Sequence, residues 1–127
     1  MHTRQTTTRL THNQALGAYG ELLAARHLVG QGMVLLDHNW RCSQGEIDLV
    51  LREDRTLVVC EVKTRSSHDY GTPHEAIGRA KRDRLRRLAA AWIEAHAARP
   101  ADVRIDLVAV LQPHDGVPEI DHVRGLT

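Results

Sequence analysis

Apolar positions along this chain change their spacing several times, and each change marks a new element. Over residues 13–29 they recur at helical spacing, through Leu16, Tyr19 or Gly20, Leu23, Ala24, His27 and Leu28. Asn13 suits the N-cap, and Gly30 and Gly32 end the helix. Residues 33–40 read as a short strand that runs into a polar turn at 41–44. Residues 46–52 form a second strand, with Ile47, Leu49 and Leu51 on the face opposite Glu46 and Asp48. After a tight connection at 53–55, residues 57–63 form a third strand and close a hairpin with the second. Residues 66–73 carry Gly71 and Pro73 and read as a loop. A long helix follows over about 74–97. Its apolar stripe is Ile77, Ala80 or Lys81, Leu85, Leu88, Ala89 and Trp92, and its outer face is rich in arginine. Residues 103–111 alternate as a strand, and 119–124 form a weak edge strand after the turn at 113–118. The order αβββαββ has no internal repeat. Helix cover on both faces of the sheet gives an α/β fold, a three-layer α-β-α sandwich with a mixed central sheet.

Composition narrows the function classes. The 127 residues suit one domain over 13–127, preceded by a disordered arm at 1–12 that is Thr-rich, with Arg4 and Arg9 and no acid. Apolar residues make up 42%, but there is no Phe and only two Trp and two Tyr, so the core is aliphatic. A stacking platform for single-stranded bases needs more aromatics than this. The net charge of +1 is not that of a wholly basic nucleic-acid binder, but its distribution is uneven. Residues 76–99 hold seven basic side chains against Asp83 and Glu94, whereas 46–61 hold five acids against Arg52 and Arg55. An acidic pocket beside a basic flank fits a metal-dependent enzyme acting on a polyanion; two solvated faces that cancel give the same count. Cys42 and Cys60 are too few for a disulfide framework, and Cys60 reads as a buried small apolar residue, so a reducing cytoplasmic setting is expected. No apolar run reaches the ~20 residues that span a membrane, and residues 1–13 lack the apolar region of a secretory signal.

The candidate chemistry lies on the hairpin. Gly45-Glu46-Ile47-Asp48-Leu49-Val50 is followed, thirteen residues after Asp48, by Glu61-Val62-Lys63-Thr64-Arg65. Glu46 and Asp48 share a face of one strand, and Glu61 and Lys63 share a face of the next. Three carboxylates brought together repel one another unless a cation sits among them, and hard oxygen ligands of this kind suit Mg²⁺ or Mn²⁺. Lysine is informative here because 15 of the 17 basic residues are arginine, leaving only Lys63 and Lys81. Lysine differs in being a compact point charge whose pKa its surroundings can lower. An isolated Glu-x-Lys is more often a surface cross-strand pair; Asp48 at hairpin distance tips the balance toward chemistry.

An antiparallel hairpin with Asp on one strand and Glu-x-Lys on the next, flanked by helices, resembles the PD-(D/E)xK restriction-endonuclease-like fold. The full run of motifs also takes in Gly20-Glu21, Asn39, Arg41, Lys81 and Val103-Arg104-Ile105-Asp106-Leu107-Val108. Over about residues 17–124 it resembles the YraN/UPF0102 family of bacterial predicted endonucleases. Departures are small: Cys60 stands where an apolar valine-like residue is more usual, and Arg104-Ile105-Asp106 where an aromatic often sits. The resemblance implies that Asp48 and Glu61 ligate a divalent metal, with the Val62 carbonyl as a third ligand and Glu46 at a second metal or a water. It implies that Lys63 orients or deprotonates the attacking water or stabilises phosphoryl charge. Glu21 corresponds to the helix acid that archaeal Holliday-junction resolvases of this fold place near the metal. The reaction would be in-line attack of water on a phosphodiester of DNA, plausibly branched or structured. Resolvases of this fold are dimers, so a homodimer spanning a duplex is the corresponding expectation.

Arg79, Arg82 and Arg86 lie on one stripe of the second helix and suit a phosphate backbone or a solvated face equally. Lys81 lies close to that helix's start and within reach of the site. Arg65 suits a phosphate or Asp106, and Asp106 suits an internal ion pair. The nine histidines include no pair at zinc-site spacing. Two rivals to a nuclease are a nucleic-acid-binding module that keeps the fold without catalysis, and an interaction protein whose arginine helix docks an acidic partner.

Overall fold

The computed structural model describes residues 11–66 and 77–126, with Asn13 described by its backbone alone. Residues 1–10 of the arm expected at 1–12, most of the expected loop at 66–73, with His68, and the expected helix start at 74–76, with His74, lie outside the described residues, whereas Thr11 and His12 of that arm belong to the first helix. The elements are α1 (His12–Gly30), β1 (Val34–Cys42), β2 (Gly45–Glu53), β3 (Thr56–Arg65), α2 (Arg79–His96), β4 (Asp102–Leu111) and β5 (Glu119–Val123). Their order is the expected αβββαββ.

Helix ends follow their capping chemistry. Thr11, rather than Asn13, is the N-cap of α1. Its hydroxyl accepts the Gln14 N–H at 3.1 Å, while the Gln14 side chain accepts the Thr11 N–H at 2.9 Å. Gly30 is still helical, Gln31 caps the end, and the left-handed turn falls on Gly32 at φ +102°. Helix α2 begins at Arg79 because Gly78 is extended and caps it without a side-chain hydrogen bond.

The five strands lie side by side in sequence order. β1–β2, β2–β3 and β4–β5 are antiparallel. β3 and β4 are parallel, and α2 provides the crossover between them. Alternate residues of β3 divide between two cores. Val58, Cys60 and Val62 pack with Ala24 and Leu28 of α1, and Leu57 and Val59 pack with Leu85, Leu88, Ala89 and Trp92 of α2. This is the expected three-layer sandwich. Cys60 is fully buried. On α1 the packed residue is Gly20 rather than Tyr19, which is 44% exposed.

One expectation about β2 is corrected. Leu49 and Leu51 pack on the α1 side, but Ile47 joins the α2 core with Val50. Strict alternation therefore fails between Ile47 and Leu49, at the place where β2 leaves β3.

Candidate active site

β2 and β3 pair from Glu53↔Thr56 as far as Leu49↔Cys60. The next pair in register would set Asp48 against Glu61, two carboxylates facing each other, which is unfavourable. The ladder stops there. Asp48 Oδ2 instead accepts the Val62 N–H at 2.8 Å, taking the part of a backbone carbonyl. In a strand the N–H and C=O of one residue turn to the same side, so the Val62 carbonyl also faces this gap. β3 runs on beside β4 as far as Arg65↔Leu111, which keeps Glu61, Lys63 and Thr64 on a supported strand.

Helix α1 reaches the gap through Gly20. A Cβ on Gly20 would lie 1.9 Å from Thr64 Oγ1 and 2.9 Å from Thr64 Cβ, so only glycine permits this approach. The next residue, Glu21, thereby lies near Asn39 and Asp48 and feels the charges of Glu46 and Glu61. Asn39 sits in β1 at φ +50°, a left-handed conformation that asparagine tolerates better than most residues.

From the opposite face, the opening turn of α2 sends Lys81 to the same place. Lys63 Nζ lies 3.4 Å from Glu61 Oε2, and Lys81 is ion-paired with that same oxygen. Glu61 is 6% exposed.

The electrostatics follow from this packing. Burial, then the charge of Glu61, pushes the Asp48 carboxyl up to about 8. Burial alone would raise Glu61 too, but the hydrogen bond and charge of Lys81, with Lys63 behind it, hold it below the ordinary glutamate range. Burial, and then the neighbouring positive charge of Lys81, lower Lys63. Lys81 is raised: its contacts with Glu61 outweigh its desolvation. Glu21 is raised, chiefly by burial. The two lysines are therefore unlike: Lys63 is the one whose proton is held less tightly.

The other expected residues fall around this centre. Glu46 pairs with its cross-strand neighbour Arg41 at 2.5 Å, an exposed pair worth about 1 kcal/mol or less. Arg65 ends β3 and donates to the Thr64 carbonyl at 3.2 Å. Asp106 is the buried ion-pair partner expected, but of Arg104 and His122, both at 2.8 Å. Arg79, Arg82, Asp83 and Arg86 line one concave patch on α2, so the arginine stripe does share a surface. Arg86 also reaches the Leu126 carbonyl at 3.4 Å.

Among the described residues, no three His, Cys, Asp or Glu side chains are already gathered as a metal cage. The donor chemistry nonetheless fits a hard divalent cation. Half-buried Asp48 and buried Glu61 are carboxylates forced together at a broken ladder, the Val62 carbonyl faces the same gap, and Glu21 stands behind them. The sequence reading left Asn39 out of the candidate site and did not see Lys81 as a partner of Glu61. Asn39 had no signal beyond its place in the motif run, whereas Lys81 shared with Lys63 the rarity of lysine in this chain.

Fold and site together define a small α/β domain with a carboxylate–lysine cluster at the open end of a hairpin, one helix closing on it from each face. Residues 20–110 match the profile described as Uncharacterised protein family UPF0102, a span running from Gly20-Glu21 past Lys81. A UPF0102 protein of Nocardioides sp. is 65% identical over 113 residues, 89% of this chain and 91% of that one. One of Streptomyces coelicolor is 54% identical over 114 residues, 88% of each chain. One of Beutenbergia cavernae is 52% identical over 112 residues, 88% of this chain and 95% of that one. The chain belongs to the UPF0102 family. Among the described residues no helix is long and apolar enough to cross a membrane.

Proposed function

We propose that this protein is a metal-dependent nuclease that hydrolyses phosphodiester bonds in DNA, with branched or structured DNA as its substrate class. The observation that carries the reading is the meeting of Asp48, Glu61, Lys63 and Glu21 at one gap, where the hairpin ladder is given up to make room for them. Nothing in the packing of the sheet requires a buried and a half-buried carboxylate together there, and charge withdrawn from water without full compensation is a mark of functional sites. The arrangement resembles that of the restriction-endonuclease-like fold, which supports the reading by analogy.

Asp48, Glu61 and the Val62 carbonyl would hold Mg²⁺ or Mn²⁺, which supplies Lewis-acid stabilisation of phosphoryl charge and a more acidic water. Glu46 can join only by releasing Arg41. Lys63 orients the attacking water and accepts its proton as the neutral amine, a form that its lowered pKa makes easier to reach. Glu21 and Asn39 fix the back of the site, and burial of Glu61 excludes bulk water from the attacked bond. Arg65, Arg79, Arg82 and Arg86 neutralise flanking phosphates.

The competing reading is a nucleic-acid-binding module without catalysis. It draws support from one observation: Lys63 and Lys81 already neutralise Glu61. Mn²⁺ titration of the wild type and of Asp48→Ala with Glu61→Ala, beside cleavage of linear, flapped and four-way DNA, separates the two. Metal-dependent cleavage of one structure, lost in the double variant, is the expected result. DNA binding with no Mn²⁺ binding and no cleavage would refute the nuclease and leave the module.

A further inference from the structure

The chain has 17 basic residues and uses lysine only at positions 63 and 81, and both lysines reach one oxygen of one buried carboxylate. Two ammonium groups crowded on Glu61 repel each other. Lys63 is fixed beside Glu61, two residues along the same strand. Lys81 comes from a different element on a long flexible stem, and its side chain is 28% exposed. It also stands next to Arg82 and two residues from Arg79, which line the concave basic patch of α2.

We propose that Lys81 is the resident counter-ion of Glu61, competes with a divalent cation for that carboxylate, and transfers to a substrate phosphate when the cation binds. This rests on the metal-dependent reading above and adds a residue and an order of events to it. A cation on Glu61 repels the ammoniums already there, and Lys81, which comes from α2 beside the basic patch, is the one placed to transfer to a substrate phosphate. Among the described residues the patch beside it holds Arg79, Arg82 and Arg86 with one acid, Asp83, which Arg86 already pairs at 3.8 Å, so the anion that receives Lys81 comes with the ligand. A phosphodiester next to the scissile one meets that need. The choice of lysine is explained as well: a guanidinium would grip Glu61 with a two-pronged hydrogen bond and resist displacement, whereas a point charge on a flexible stem lets go.

The test is Mn²⁺ titration by calorimetry on Lys81→Met, Lys81→Gln and Lys81→Arg, with thermal melts to show that each is folded. Lys81→Met should bind Mn²⁺ about tenfold more tightly than wild type, equivalent to ~1.4 kcal/mol. Lys81→Arg should bind it more weakly than wild type. With Ca²⁺ present, Lys81→Met should bind a short DNA duplex with a salt slope smaller by about 1. A lysine with a purely structural role predicts a lower melting temperature and no gain in Mn²⁺ affinity. Unchanged or weaker Mn²⁺ binding in folded Lys81→Met, or in Lys81→Gln if the methionine variant does not fold, overturns the proposal. If the wild type binds Mn²⁺ and cleaves DNA while these variants gain no affinity, the Lys81 inference alone fails. If neither wild type nor variants bind Mn²⁺, the metal-dependent reading fails with it.

Discussion

Replacing Asp48 by Asn should stabilise the metal-free protein near neutral pH, by an amount that grows with pH. In the folded state the Asp48 carboxyl is pushed from an ordinary 3.8 up to about 8, first by burial and then by Glu61. Near neutrality the unfolded chain carries this group ionised and the folded chain must protonate it. A group raised on folding contributes stability that is fully present below its unfolded pKa and is lost as pH rises through its folded pKa. For Asp48 the loss spans pH 3.8 to about 8. At neutral pH the gap is about three pKa units, each worth 1.36 kcal/mol, so folding with Asp48 costs up to about 4 kcal/mol that a neutral side chain avoids. Asparagine keeps an oxygen for the Val62 N–H and an amide for Glu61. Its neutral hydrogen bond to Glu61 is weaker than that of a shared proton, which returns part of the gain. The expected net gain is about 2 kcal/mol near neutral pH; near pH 4, with no ionisation cost left to avoid, the weaker hydrogen bond leaves the variant about 2 kcal/mol less stable than wild type.

Urea unfolding followed by fluorescence of Trp40 and Trp92, in the presence of EDTA, measures this directly. Wild type should be the more stable at the acid end, and the difference should reverse and grow in favour of Asp48→Asn toward about pH 8. Saturating Mn²⁺ should close the gap by stabilising the wild type alone, because a ligand that binds only the folded state raises its stability. An asparagine variant that is equally stable or less stable at every pH would refute the electrostatic account of the site.

Gly20→Ala should destabilise by about 1 to 3 kcal/mol, because its Cβ would meet Thr64 backed by β3, and Thr64→Ala should recover part of the loss in a thermal melt. Asp106→Asn should cost about 3 kcal/mol or more by leaving Arg104 and His122 without their buried partner. Burial alone would raise Asp106, but Arg104, the Gly125 N–H and His122 hold it below the ordinary range. Its contribution is therefore present above the unfolded pKa and is lost as pH falls through the lower folded value; acid titration of the wild type should show that loss and the variant should not. Arg82→Ala should weaken duplex binding evenly across DNA sequences and reduce the salt slope by about 1; an unchanged slope would remove the α2 patch from the DNA path.

Sequence spacing was enough to read element order, the hairpin, both helical stripes and the burial of Cys60, because each is a local pattern repeated over several residues. It failed where a residue's role depends on a break in the pattern. A period of two assumes a continuous pleat, so it placed Ile47 with Leu49 and Leu51, whereas the strand gives up its ladder between them. The T-x-x-Q capping box at Thr11 is present in the sequence, but Asn13 is an equally good cap by type and hid it. Lys81 was visible as a rare lysine, yet its contact with Glu61 depends on how α2 crosses the sheet, which no local period encodes.

Two acid clusters of the sheet make the case for a site better than either does alone. Midway along β4, in register with Cys60 of β3, Asp106 is wholly buried and fully supplied: Arg104 donates twice, His122 and the Gly125 N–H bond it, and Arg104 and Arg124 hold Glu53. This sheet can therefore bury an acid and satisfy it with arginine. At the gap, the same sheet leaves Asp48 one backbone N–H and a neighbouring carboxylate, raises its pKa, and meets Glu61 with lysines that can be displaced. A chain that uses arginine at fifteen positions and completes the ion pairs of Asp106 places its only lysines and its least compensated acid together. Structural need accounts for the first arrangement. The second costs stability in the metal-free protein, and a ligand bringing positive charge to Asp48 and Glu61, and negative charge to Lys81, is what would restore it.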